Sequence, residues 1–138
     1  MSRERLLLDT VFIEALLNAR DQHHSRAMMF LSRMRDAAEV WVTEAVLLEV
    51  GNALSVLNRE AAVGFIRQCY ETENIQVVPM STELLRCGLD MYESGSDKTW
   101  SLTDCISFVV MKDQRLTGAA TMDHHFVQAG YRALMREI

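Results

Sequence analysis

Three observations predict an α/β fold built on a short parallel sheet. Short apolar runs alternate with stretches of helical periodicity along the chain, a pattern that predicts right-handed crossovers between parallel strands. The first run, Leu6-Leu7-Leu8, is continuously apolar, as a strand covered on both faces requires. No internal repeat, low-complexity segment or linker interrupts the alternation. Residues 1–138 are therefore expected to form one domain, long enough for a proper core.

Residues 5–9 form the first predicted strand, which ends in Asp9, and residues 11–19 read as a helix. After the polar break Arg20-Asp21-Gln22-His23-His24, a second helix is expected over residues 25–35. Val40-Trp41-Val42 gives the second strand, and Thr43 opens a helix reaching Leu57, with Leu47, Val50, Leu54 and Leu57 as its core face. Asn58 breaks that pattern before a helix over residues 60–71. The third strand, residues 75–78, is closed by Pro79, the single proline, and Ser81 caps a helix to about Tyr92. Residues 93–98 are a loop. Ser101 then caps an apolar helix over residues 102–111, with Asp104 in its first turn, where the helix dipole favours negative charge. Gly118-Ala119-Ala120 centres a fourth strand ending at Thr121, Asp123 starts a short helix through Val127, and a brief fifth strand is placed near residues 131–134.

Composition narrows the function. Nearly half the residues are hydrophobic and about a quarter charged, which is ordinary for a soluble globular protein. No apolar run approaches the roughly 18 residues of a membrane span. Residues 1–5 lead into only three leucines before Asp9, which argues against a signal peptide. Cys69, Cys87 and Cys105 are odd in number, far apart and without a C-x-x-C pair, so a disulfide framework and a zinc site of cysteines are disfavoured. All three are expected as buried free thiols in a reducing cytoplasm. The net charge of −5 weakens a nucleic-acid reading. It does not remove it, because arginine outnumbers lysine twelve to two and pairs well with phosphate.

The acids carry the functional argument. Ligands of open parallel sheets bind beyond the carboxyl ends of the strands. Asp9 ends the first strand, Asp123 lies just past the fourth, and Glu49 is about two turns into the helix after the second. Asp104 opens the helix before the fourth strand, and its position at the same edge depends on the fold. Like charges brought together raise one another's pKa unless a cation intervenes. Mg²⁺ and Mn²⁺ prefer such oxygen ligands, and an ion so held activates water for phosphodiester hydrolysis. Each residue also has a purely structural alternative. Ser101 and Asp104 make a variant capping box, Asp9 and Asp123 can be caps, Glu49 can be a surface charge, and Thr10 and Thr121 can be ordinary helix-start and strand residues. The joint pattern is more informative than any member, because caps have no reason to share an edge with Glu49.

Four segments carry a resemblance: Leu6-Leu7-Leu8-Asp9-Thr10; Thr43 with Glu49-Val50-Gly51-Asn52-Ala53-Leu54; Asp97-Lys98-Thr99-Trp100-Ser101-Leu102-Thr103-Asp104-Cys105; and Ala120-Thr121-Met122-Asp123-His124-His125-Phe126. In this order and spacing the chain resembles PIN-domain ribonucleases, particularly the small VapC-type toxins of toxin–antitoxin pairs. The third segment is the most specific. The resemblance implies a three-layer α/β/α domain with a five-stranded parallel sheet, and Mg²⁺- or Mn²⁺-dependent cleavage of RNA. It implies that Asp9, Glu49, Asp104 and Asp123 form the catalytic metal site, with Thr10 and Thr121 at the hydroxyl positions that support it; Ser101 and Asp97 are expected as further supporting residues. Asp97 matches an acid often present before the main motif, without being a metal ligand. The family also implies homodimers and inhibition by a small antitoxin.

Other features are weighed alongside. His124 and His125 can touch a phosphate or a metal, but a first-turn helix position with one ring exposed suits them better, since oxygen ligands fit the expected ion. His23 and His24 are expected in solvent. Trp100 can stack on a base or pack at the sheet edge. Arg20, Arg26, Arg33 and Arg35 can reach RNA phosphates or be a solvated face, and the nine methionines are expected to fill core and interface. A catalytically silent PIN-like module binding RNA or protein is the competing reading. A phosphotransferase or phosphatase of another α/β fold is a third. One such family needs Asp-x-Asp, which Asp9-Thr10-Val11 lacks, and the adjacent acids with a later lysine of receiver domains are absent.

Overall fold

The five strands β1 (Arg5–Leu8), β2 (Glu39–Thr43), β3 (Ile75–Val78), β4 (Gly118–Ala120) and β5 (Arg132–Ala133) pair in the order β3-β2-β1-β4-β5, and every pairing is parallel. The structure, a computed structural model, describes residues 3–138; Met1 and Ser2, the start of the segment read above as no signal peptide, lie outside the described residues. Strand alternation sorts the side chains into two cores. Leu6 and Leu8 join Val40, Val42 and Ala120 beneath α1 (Thr10–Leu17), α2 (His24–Asp36), α3 (Glu44–Ala53) and α4 (Arg59–Glu71). Leu7 and Ala119 join Phe108, Met111 and Phe126 on the opposite face, under α6 (Leu102–Asp113) and α7 (His124–Gln128), with Leu84 and Met91 of α5 (Thr82–Ser94) packed against them. The result is the three-layer α/β/α arrangement expected. No described helix is long and apolar enough to cross a membrane.

The strand order contains one reversal. The chain steps outward from β1 to β2 to β3, then returns to lay β4 on the other side of β1. The crevice between the carboxyl ends of β1 and β4 is thus a topological switch point, where open α/β sheets take their ligands. Two helices span the return from β3, so α6 must run antiparallel to α5 for Asp104 to open at this edge. Close approach makes that packing tight: a Cβ at Gly88 of α5 would lie 2.6 Å from Ile106 Cγ1 of α6.

Several boundaries differ from the sequence reading for identifiable reasons. The helix after β2 ends at Ala53 rather than Leu57. Ser55 Oγ donates to the carbonyls of Gly51 (2.8 Å) and Asn52 (2.9 Å), competing with helical bonding, and Asn58 caps α4 through the Ala61 amide. Leu57, expected on the core face, is consequently 67% exposed. The fifth strand is only Arg132–Ala133, because the chain turns into a 3₁₀ segment at Leu134–Glu137. Cys69 and Cys105 are buried free thiols, but Cys87 of α5 is exposed. His24 is not a loop residue: it begins α2 and its Nδ1 lies 2.8 Å from the Ala15 carbonyl. Two of the four arginines offered to RNA are engaged within the fold. Arg33 makes a bidentate pair with Glu4 (2.6 and 2.8 Å), and Arg26 donates to the Met135 carbonyl.

Candidate active site

A cleft of about 230 Å³ opens at the switch point, lined by Asp9, Thr10, Glu49, Asp104 and Asp123 among others. Each acid reaches it from a different element: Asp9 follows β1, Glu49 sits in α3, Asp104 in the first turn of α6, and Asp123 precedes α7. Ser101 also lines the cleft. Its Oγ accepts from the Asp104 amide (3.0 Å) while Asp104 Oδ2 accepts from the Ser101 amide (3.3 Å), so the capping box is real and also fixes the carboxylate at the cleft.

Asp9 is not held by capping α1, since its side chain accepts no cap hydrogen bond. Its Oδ2 accepts instead from Thr121 Oγ1 at 2.7 Å. The same hydroxyl accepts from the Asp123 amide at 2.9 Å, so Thr121 ties the end of β1 to the start of α7. Asp123 does cap α7, through the His125 amide (2.9 Å). Thr10 Oγ1 is buried and has no hydrogen-bond partner among the described residues. Asp97 stands apart from the cleft, its side chain 74% exposed and paired with Lys98 at 2.9 Å.

Burial and crowding set the electrostatics. Asp9 is raised from 3.8 to about 7, chiefly by burial; the Thr121 hydroxyl opposes the shift, and the charges of Asp104 and Asp123 add to it. Asp104 is also raised, again first by burial, with Asp123 pushing the same way and His125 opposing. Carboxylates held in this state are costly to ionise together, and a divalent cation is the simplest neutralising partner.

Three further lining residues were not singled out from the sequence as part of the acidic set. Glu14 enters one helical turn after Thr10, a spacing that could have revealed it, and its pKa is raised by burial and by the Glu49 charge. Thr99 and His125 meet across the rim, with Thr99 Oγ1 2.9 Å from His125 Nε2. His125 Nδ1 lies 3.2 Å from Asp123 Oδ1 and 3.3 Å from Asp104 Oδ2, and its side chain is only 17% exposed against 61% for His124. One exposed and one enclosed ring is the arrangement anticipated for the pair. Trp100 packs edge-on against Phe108 (5.2 Å between centroids) and donates to Gln128, so it is committed to the fold.

The model of the PIN domain family matches residues 6–130, which include all four acids. The chain belongs to the PIN domain family. Solved structures agree on the fold. This PIN domain is similar to Mycobacterium tuberculosis VapC20, described as a sarcin-ricin loop cleaving toxin, at 23% identity over 93% of this chain and 97% of that one, with a TM-score of 0.83. It is also similar to FitAcB from Neisseria gonorrhoeae, at 18% identity over 92% and 94% of the two chains, with a TM-score of 0.60. No curated protein sequence matches it.

The donor set of this PIN domain suits a hard divalent cation. Asp9, Glu49, Asp104 and Asp123 supply only oxygen, and the unsatisfied Thr10 hydroxyl adds a polar group facing no protein partner. Glu49 is the most exposed of the four acids.

Proposed function

We propose that this PIN domain is a metal-dependent endoribonuclease, the toxin of a toxin–antitoxin pair, and that residues 1–138 act as a single domain. The observation that carries the reading is the meeting of four carboxylates from four separate elements at the switch point of the sheet. The family match and the fold shared with a toxin described as cleaving the sarcin-ricin loop support it.

In this reading Asp9, Glu49, Asp104 and Asp123 hold Mg²⁺ or Mn²⁺, and Thr10, Thr121 and Ser101 support them. When bound, such an ion activates water and offsets the charge that develops on a phosphodiester. The chain's own residues supply positioning. Thr121 holds Asp9 and the Asp123 backbone in one orientation, and the Ser101 cap and His125 restrain Asp104. Hydrolysis adds water at phosphorus and breaks one P–O ester bond. The partners implied are RNA, a small antitoxin and a second copy of the chain, in the cytoplasm.

The test is cleavage of pooled cellular RNA by purified protein with Mg²⁺ or Mn²⁺, with EDTA, and with Asp104→Asn in parallel. We expect cutting that needs the ion and falls at least about 100-fold in the variant, the scale of losing a group that stabilises developing charge. Cleavage that survives both EDTA and the substitution would place the chemistry elsewhere. Inert protein that binds no divalent ion would favour the silent module.

A further inference from the structure

The rim of the cleft holds a second donor set with a different chemistry. Asp123, His124 and His125 are consecutive, yet one carboxylate oxygen and one ring nitrogen from each histidine lie within 4.8 Å of one another. We propose that Asp123 Oδ1, His124 Nδ1 and His125 Nδ1 form a site for a borderline transition cation of the Zn²⁺ class that shares Asp123 with the acidic cleft, so that filling it competes with an ion held there.

Both spacings from Asp123 are those of ligands sharing an ion. Zinc sits about 2.0–2.2 Å from imidazole nitrogen and carboxylate oxygen, so neighbouring ligand atoms of a tetrahedral site are about 3.4 Å apart. Asp123 Oδ1 is 3.6 Å from His124 Nδ1 and 3.2 Å from His125 Nδ1. A fourth donor is close, since Asp104 Oδ2 is 3.3 Å from His125 Nδ1. Asp123 Oδ1 already accepts the His125 amide, but a carboxylate oxygen keeps lone-pair capacity beyond one such bond.

The outer contacts fit as well. A ligating histidine usually donates its other ring N–H to a neighbouring oxygen, which fixes tautomer and ring angle. His125 Nε2 faces Thr99 Oγ1 at 2.9 Å, so His125 can present an unprotonated Nδ1 to the ion. Exposed His124 offers the way in, and enclosed His125 gives the site a rigid wall. Imidazole nitrogens favour Zn²⁺ over Mg²⁺, which keeps to oxygen. Because Asp123 serves both donor sets, Zn²⁺ would oppose the Mg²⁺-dependent reaction. That regulatory half rests on the nuclease reading, whereas the binding half does not.

The experiment is Zn²⁺ titration of metal-free protein without RNA, in competition with a chromophoric chelator, using wild type, His124→Ala, Thr99→Val and Asp9→Asn, each checked for folding by circular dichroism. One Zn²⁺ per chain is expected in wild type. His124→Ala should weaken it at least about tenfold, and Thr99→Val should weaken it about tenfold or more. Asp9→Asn, which leaves all three donors in place, should still bind one Zn²⁺ per chain. No Zn²⁺ binding by wild type would overturn the proposal. So would undiminished binding in His124→Ala, or loss in Asp9→Asn, which would put the ion in the acidic cleft. Should His124→Ala misfold, His124→Asn takes its place. Protein that bound Zn²⁺ as described yet, freed of Zn²⁺, neither bound Mg²⁺ or Mn²⁺ nor cut RNA would sink the nuclease reading and leave this one standing.

Discussion

Asp9 concentrates the cost of this cleft in one side chain. It is enclosed by protein, accepts the Thr121 hydroxyl, and faces Asp104 and Asp123. Its pKa near 7 in the folded protein, against 3.8 ordinarily, means that the folded state binds the extra proton. Stability from that proton is complete below about pH 4 and is lost as the pH rises through 7. Without divalent ions, Asp9→Asn should therefore melt above wild type at pH 8, with the gap closing towards pH 5. A cation changes the sign. Mg²⁺ should raise the melting temperature of wild type more at pH 8 than at pH 6, and should do little for Asp9→Asn. Thermal melts across that range check both statements. Asp9, Asp104 and Asp123 were legible in the sequence because each sits at a strand end or a helix start, whereas Glu49 lies inside α3 and stood out only through the joint pattern. Their mutual contacts were not: the Thr121 bridge joins residues 112 positions apart. The partnership of His125 with Asp104 depends equally on how α7 docks.

At the scale of elements, two helical glycines separate propensity from packing. A Cβ at Gly64 in α4 would meet nothing within 4 Å, whereas one at Gly88 in α5 would strike Ile106 at 2.6 Å with the α6 backbone 3.5 Å away. Gly64→Ala should stabilise by about 0.5–1 kcal/mol, since alanine is the better helix former. Gly88→Ala gains the same propensity but must displace Ile106, and overpacking costs about 1–3 kcal/mol, so a net loss of stability is expected. Denaturant melts of the two variants compare the effects directly, and a shift of α6 would also disturb Asp104. Element type was read well because apolar periodicity is a local signal. The end of α3 was misplaced because Leu54 and Leu57 continue the periodic pattern, while the Ser55 hydroxyl and the Asn58 cap decide where bonding stops.

Across the whole molecule, the site exists only because the sheet reverses direction. Sequence order gives β1, β2, β3, β4, β5, but β4 lies beside β1, and that return brings Asp123 and Thr121 to Asp9. Periodicity alone could not supply the return, nor the antiparallel packing of α5 and α6 that carries Asp104 to the same edge. The family resemblance implied the five-stranded parallel sheet, with which the fold agrees, but the strand order and the helix packing emerge only from the structure. Four segments of the chain thus converge on about 230 Å³ of cleft. The most direct measurement of that convergence is Mn²⁺ binding to metal-free protein at pH 8, followed by electron paramagnetic resonance. Wild type should bind saturably, and Asp9→Asn, Glu49→Gln, Asp104→Asn and Asp123→Asn should each weaken binding at least about tenfold, because each removes one of the few charged oxygens available to the ion. Wild type that binds no Mn²⁺, or four variants that bind it equally well, would contradict the account.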